Sequence, residues 1–207
     1  MTVLVASGAG VRHRRRWLIR DLDLRVEAGE TVAIVGPPGS GRTSTLLALA
    51  RRLRLTTGRV EGGPVALGHV PGVGEPEPVF TVREHLAERG ALLGRPADVP
   101  LHGLDPGLRG RDLGPYQRQL LGLILASMAG PRVIALDDAD AGLDRAERAD
   151  LWRLLGGIAA GGVAVLVTAR EVGPEAVDRV IRLTGDDGRA EIRTAAEYAE
   201  ANAVGAR

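Results

Sequence analysis

The chain has 207 residues, no cysteine, and 27 basic against 26 acidic side chains, a formal net charge of +1. These figures suit one domain with room for a small inserted lobe, exclude disulfides and thiolate metal sites, and argue against a strong field for nucleic acid. No apolar run approaches the roughly 18 to 20 residues that span a bilayer, and Met1-Thr2-Val3-Leu4-Val5 lacks the layout of a signal peptide, so the expectation is a soluble, cytosolic chain.

Residues 1–35 read as an antiparallel β lobe. Leu22-Asp23-Leu24-Arg25-Val26 alternates apolar and polar, Glu27-Ala28-Gly29-Glu30 turns, and Thr31-Val32-Ala33-Ile34-Val35 runs apolar. Inside the lobe lies a basic run, Arg12-His13-Arg14-Arg15-Arg16-Trp17. One reading is a solvated charged turn with Trp17 packed on the core; the other sets the run near phosphates or acidic lipid headgroups. Nucleic-acid binding is disfavoured, because the run is short and interleaves a single aromatic.

Gly36-Pro37-Pro38-Gly39-Ser40-Gly41-Arg42-Thr43 comes next, and leads into Ser44-Thr45-Leu46-Leu47. The spacing is that of a phosphate-binding loop, G-x-x-x-x-G-K-[ST], with Arg42 in the lysine's place. Strand, glycine-rich turn and helix together let successive backbone N–H groups wrap a phosphate at a helix N-terminus. Gly36, Gly39 and Gly41 permit positive φ and close approach to an anion. Pro37, Ser40 and Ser44 complete the stretch read as a nucleotide site, and Thr43 offers a hydroxyl to a phosphate-bound Mg²⁺. The competing reading is an ordinary strand-to-helix turn in a chain with 29 glycines. All 27 basic residues are arginine, so Arg42 fits a GC-rich coding bias as well as design.

Residues 44–55 read as a helix with an arginine-rich outer face, 56–63 as a turn and short strand, and 65–70 as a further strand. A loop rich in Pro, Gly and Glu then reaches Thr81, an N-cap with Glu84 three residues on. Residues 94–112 are loop-like. Pro115 suits a first helical position, and 119–128 continue as a buried helix. The runs 133–138 and 163–168 read as buried parallel strands around a helix at 146–155. Residues 177–183 close the series before an Ala/Glu-rich tail read as a peripheral helix. Alternating strands and helices predict a parallel α/β sheet that binds ligands at the carboxyl ends of its strands.

A phosphate loop needs a metal partner. Asp137, ending an apolar strand, is placed to hold Mg²⁺ directly or through water beside Thr43. Asp138 is placed to orient or deprotonate an attacking water. The competing reading is a carboxylate pair that merely caps the next segment of chain.

The sequence resembles the nucleotide-binding subunits of ATP-binding cassette (ABC) transporters over nearly its whole length. The family's L-S-G-G-Q, helix, Pro and strand ending D-E correspond without a gap to Leu113-Gly114-Pro115-Tyr116-Gln117, a helix, Pro131 and Asp137-Asp138. Its S-A-L-D looks like Ala141-Gly142-Leu143-Asp144, and its T-V-x-E-N-L looks like Thr81-Val82-Arg83-Glu84-His85-Leu86. The resemblance implies an α/β P-loop NTPase fold: a mostly parallel sheet flanked by helices, the N-terminal antiparallel β lobe, and a shortened helical lobe with the signature helix over 73–128, all in one domain, 1–207. It implies ATP and Mg²⁺ as ligands. It also implies a homo- or heterodimer with a cassette subunit, a transmembrane permease partner reached through the loop around 72–82, and a place on the inner face of the membrane. Leu113, Gly114 and Gln117 would then serve the partner's nucleotide, and His13 stands nearest the place of the adenine-stacking aromatic. A P-loop kinase or GTPase is disfavoured, since neither has the Leu113–Asp144 pattern.

The departures fall where the family does chemistry. Arg42 replaces the lysine, Asp138 the catalytic glutamate, Gly72 a glutamine, and Ala169 the switch histidine; Gly114, Pro115 and Tyr116 stand for the signature serine and glycines. The expectation is Mg–ATP binding with impaired hydrolysis, the alternative a non-hydrolysing nucleotide-sensing or scaffolding subunit.

Overall fold

The computed structural model describes residues 1–184 and 187–205. Strands β1 (Thr2–His13), β2 (Arg16–Glu27), β3 (Thr31–Val35) and helix α1 (Arg42–Leu49) come first. Next come β4 (Thr57–Gly62), β5 (Val65–Leu67), α2 (Val82–Leu93), α3 (Pro115–Ser127) and β6 (Val133–Leu136). The chain ends with α4 (Arg145–Ala160), β7 (Ala164–Ala169), β8 (Arg179–Leu183), β9 (Ala190–Thr194) and α5 (Ala195–Gly205).

Two sheets result. The larger has the order β5-β6-β7-β3-β8-β9, parallel except for β9. The smaller is antiparallel, β2-β1-β4. Here the lobe expected over 1–35 is corrected. β3 leaves it for the parallel sheet, where it pairs with β7 and β8, and β4 takes the third place beside β1. The physical reason is burial: all five residues of β3 are buried, as a central parallel strand requires, whereas β2 alternates.

Every residue of β3, β6 and β7 is buried. Alternate side chains serve two cores. Val32, Ile34 and Leu166 face α1 and the antiparallel sheet, while Ala33, Val35, Ile134 and Val167 face α3 and α4. A third cluster, with Val82, Leu86, Leu113 and Leu120, joins α2 to α3.

The helix expected over 44–55 is shorter and starts earlier. α1 ends at Leu49, and Arg51 takes a positive φ of 57°, folding Arg52 and Leu53 back onto the Leu47 carbonyl. The capping box at α2 forms as expected: Glu84 N–H donates to Thr81 Oγ1 and Thr81 N–H to Glu84 Oε2. The tail gains an unexpected antiparallel strand, β9, ahead of the expected helix, α5; residues 206–207 of that tail lie outside the described residues. No helix among the described residues is long and apolar enough to cross a membrane.

Candidate functional site

Strand β7 lies between β3 and β6, so their carboxyl ends form one edge. The glycine-rich loop leaves β3 there and Asp137 leaves β6. The loop's turns are built on glycine. Gly36, Gly39 and Gly41 have φ of 156°, 77° and 99°. A Cβ on Gly41 would lie 2.6 Å from the Leu18 carbonyl oxygen, and one on Gly36 would lie 2.7 Å from that of Leu183. Only glycine fits both places.

Around the loop sits an open cavity of about 230 Å³, bordered by Leu18, Pro37, Gly39 and residues 41–44. Ser40 is 4% exposed, and its Oγ finds no hydrogen-bond partner among the described residues. A buried hydroxyl without a partner, inside a loop of turned backbone, fits an anion.

Thr43 Oγ1 donates to Asp137 Oδ2 at 2.8 Å. Asp137 is 2% exposed, and Thr168 Oγ1 donates to its other oxygen at 2.6 Å. A hydroxyl and one carboxylate are the hard oxygen donors that suit Mg²⁺, which takes one or two carboxylates and completes its shell with phosphate and water. The donor set therefore fits that ion.

Arg42 turns back on its own loop. Nη1 donates to the Gly36 carbonyl at 2.5 Å and Nη2 to Asp138 Oδ1 at 2.8 Å. The guanidinium side chain is only 11% exposed, against 36% for Asp138. The arginine thus occupies both the loop and the carboxylate.

The expected signature residues lie elsewhere. Leu113 is buried in the α2–α3 cluster, Gly114 N–H donates to Gln117 Oε1 at 2.8 Å, and Pro115 opens α3. None of them borders the loop cavity, nor does His13, which is exposed at the end of β1. From the basic run it is Arg16 that reaches the loop, with Nη2 3.4 Å from the Gly39 carbonyl oxygen. Trp17 is half-buried, with the guanidinium carbons of Arg12 and Arg20 5.6 and 5.8 Å from its ring centre. Gly72 has open space around it, and the adjacent Glu75 accepts its N–H and faces His69 Nε2 at 3.3 Å. The Gly72 N–H, and then His69, hold the Glu75 carboxyl below its ordinary range. Ala169 is fully buried at the end of β7 and offers no polar group.

Three residues at this edge have no counterpart among the expected site residues: Leu18, Thr168 and Gln119. Thr168 and Gln119 look in sequence like a β-branched strand residue and an interior helix residue, and only the sheet order shows what they touch.

A glycine-turned loop after a central parallel strand, with an acid following a strand two places away, is the arrangement of the P-loop NTPase fold. Residues 19–77 match the family profile described as "ABC transporter". The zinc import ATP-binding protein ZnuC of Ruegeria sp. (strain TM1040) is 30% identical over 96% of this chain and 85% of its own length. The ZnuC of Paramagnetospirillum magneticum is 32% identical, over 83% of this chain and 69% of its own length. A solved structure described as the ATP-binding subunit of an ABC transporter superposes with a TM-score of 0.81 at 17% identity, covering 98% of this chain and 94% of that one. A dimeric ATP-binding cassette in a post-hydrolysis state with ADP and Pi superposes at 0.79 and 16% identity, over 93% of this chain and 99% of that one. The chain belongs to the ABC transporter family, as an ATP-binding subunit.

Proposed function

We propose that the loop from Gly36 to Ser44 binds ATP, and that Thr43 with Asp137 holds the accompanying Mg²⁺. The observation that carries this is the 2.8 Å contact between Thr43 Oγ1 and Asp137 Oδ2, which joins the loop to the acidic strand end. When bound, the ion would neutralise developing charge on the phosphates. The chain's own groups do the rest. Turned backbone N–H groups and Ser40 Oγ hold the phosphates, and Arg42 supplies positive charge. Asp138, which meets Arg42 beside the loop, would orient the attacking water.

Hydrolysis by the isolated chain is slow in this reading, for three reasons. Asp138 is tied to Arg42 rather than free to accept a proton. Ala169 presents no polar side chain. In a dimer, Pro115 would offer the partner's nucleotide no N–H, and the Gly114 N–H is already spent on Gln117. Losing one preorganised donor costs about 10²–10³ in rate, and losing a general base about 10²–10⁴. The same ion pair favours the second reading, a nucleotide-sensing or scaffolding subunit.

In either reading the chain pairs with a second cassette subunit and docks on a permease at the inner membrane face through the loop around 72–82. Val73 and Val79 are 55% and 56% exposed there. Titration of the isolated protein with Mg–ATP tests the site: measurable binding is expected, with turnover about 10²-fold or more below a typical 10 s⁻¹. No binding at millimolar ATP removes the site, and rapid turnover abolished by Asp137→Ala removes the impairment.

A further inference from the structure

Asp138 has a φ of +42°, a left-handed backbone conformation unusual for a side chain with a Cβ. Such a conformation persists only where its surroundings fix it. The peptide unit joining Asp137 to Asp138 is held at both ends. Its carbonyl, Asp137 O, accepts from Gln119 Nε2 at 2.9 Å, and its amide, Asp138 N–H, donates to Thr168 Oγ1 at 2.7 Å. Both holders are buried, Gln119 at 4% and Thr168 at 0% exposure. They come from separate elements, α3 and β7.

Pinning the two ends of one peptide plane sets the torsions on either side of it. Here those are the ψ of Asp137 and the φ of Asp138. The Asp138 side chain then leaves the turn toward the loop, where Oδ1 meets Arg42 Nη2. Thr168 also orients the neighbour, since its hydroxyl proton goes to Asp137 Oδ1 while its lone pair takes the Asp138 N–H.

From this geometry we infer that Thr168 and Gln119 are positioning residues: they clamp the Asp137–Asp138 peptide so that one carboxylate faces Thr43 and the other faces Arg42. The clamp ties the signature helix α3 to the turn that bears both acids. What the carboxylates do for Mg–ATP rests on the function proposed above, but the clamp itself does not.

Crystal structures of Thr168→Val and Gln119→Met without nucleotide test it directly. In each, the peptide plane should turn, Asp138 should relax to a negative φ, and the contact with Arg42 should be lost. A φ still near +42° with that contact intact in either variant overturns the assignment. Should Thr168→Val fail to fold, melting curves of Gln119→Met carry the test. Glycine takes positive φ freely and alanine does not, so cutting the clamp returns strain only with alanine, and the loss in Tm should be larger in an Asp138→Gly background than in Asp138→Ala; an equal loss in both backgrounds overturns the clamp. In solution, Thr168→Val should weaken the Mg²⁺-dependent gain in ATP affinity tenfold or more, leave affinity in EDTA unchanged or tighter by up to about tenfold as Arg42 is released, and recover in Thr168→Ser. An equal loss with and without Mg²⁺ marks mere packing and sinks the proposal. Failure of the parent chain to bind ATP would count against the site alone, since the crystal and melting measurements need no nucleotide.

Discussion

Arg42 and Asp138 sit 96 residues apart in sequence and form an ion pair of 2.8 Å across the mouth of the phosphate loop. The pair sets two groups of the site against each other. A guanidinium held by Asp138 and by the Gly36 carbonyl is not free for phosphate, and a carboxylate oxygen engaged by a guanidinium is not free to hold a water. Asp138→Asn should therefore tighten ATP binding without Mg²⁺, by about three- to tenfold, because the arginine no longer has to be drawn away first. The same change should cost about 1 kcal/mol of stability, the lower end for a charged hydrogen bond that is partly solvated. A titration with labelled ATP in EDTA, beside a melting curve, checks both signs; weaker ATP binding would show that the pair helps to hold the nucleotide.

Thr43 and Asp137 bear instead on the Mg²⁺ site proposed above. Asp137→Asn keeps the shape and removes the charge a divalent cation needs, so ATP affinity in EDTA should stay within about threefold while the gain from added Mg²⁺ falls at least tenfold. Parallel titrations with and without Mg²⁺ distinguish this from a general loss of the fold, which would lower both.

Much of the fold was legible in sequence because the relevant residues act locally. The runs that became β6 and β7 are apolar but for Thr168, a pattern that suits a doubly covered strand, and the Thr81–Glu84 cap closes within one helical turn. The loop's glycines announced their φ angles for the same reason. What was not legible depends on sheet order. β3 follows β2 after a short turn and so reads with the antiparallel lobe, although its unbroken apolar run, unlike the alternation of β2, is the signal of a doubly covered strand. β9 shows the reverse, with exposed Ile192 and mixed burial masking a strand. Thr168 reads as an ordinary β-former, and its hydroxyl reaches Asp137 only because β7 was inserted between β3 and β6. Leu18 borders the loop cavity where His13 was expected, because the antiparallel β2 carries its main chain over Gly41.

The loop's glycines should differ sharply in tolerance. Gly41→Ala would set a Cβ 2.6 Å from the Leu18 carbonyl oxygen at a φ of 99°, whereas a Cβ on Gly39 meets nothing within 4 Å at 77°. The first should cost about 2–4 kcal/mol and the second about 1–2. In a chain of this size that is a fall in Tm of roughly 5–15 °C against less than about 8 °C. Calorimetry of the two variants tests the order, and equal losses would mean that the strand over Gly41 yields easily.

Glu75 gives the loop at Gly72 a pH dependence of known sign. Its carboxyl is held below the ordinary 4.5 chiefly by the Gly72 N–H, then by His69. A lowered pKa means that the contact contributes fully above that ordinary value and is lost as pH falls through the lower, folded-state value. Protection of the Gly72 amide from exchange, corrected for intrinsic rate, should thus be constant from pH 7 to about 5 and fall only in more acid solution. Glu75→Gln should remove that dependence, and protection already falling by about pH 6 would assign the contact to another group.

Rebuilding the site separates the causes of slow hydrolysis proposed above. Arg42→Lys with Asp138→Glu would dissolve the present ion pair, return a compact ammonium to the loop, and lengthen the base by one methylene. If the loop side limits the reaction, ATP turnover should rise about 10- to 100-fold, the scale of a recovered general base. If the dimer partner's contribution limits it, that double change should do little until Gly114→Ser, Pro115→Gly and Tyr116→Gly are added, because Pro115 has no N–H to donate and the Gly114 N–H is committed to Gln117. Combined gains should then exceed the product of the separate ones, since a base and an oxyanion donor act on one transition state. Turnover measured across the four proteins (parent, loop variant, signature variant and both) decides which half of the site limits. A chain that stays inactive with all five changes leaves the scaffolding reading in possession.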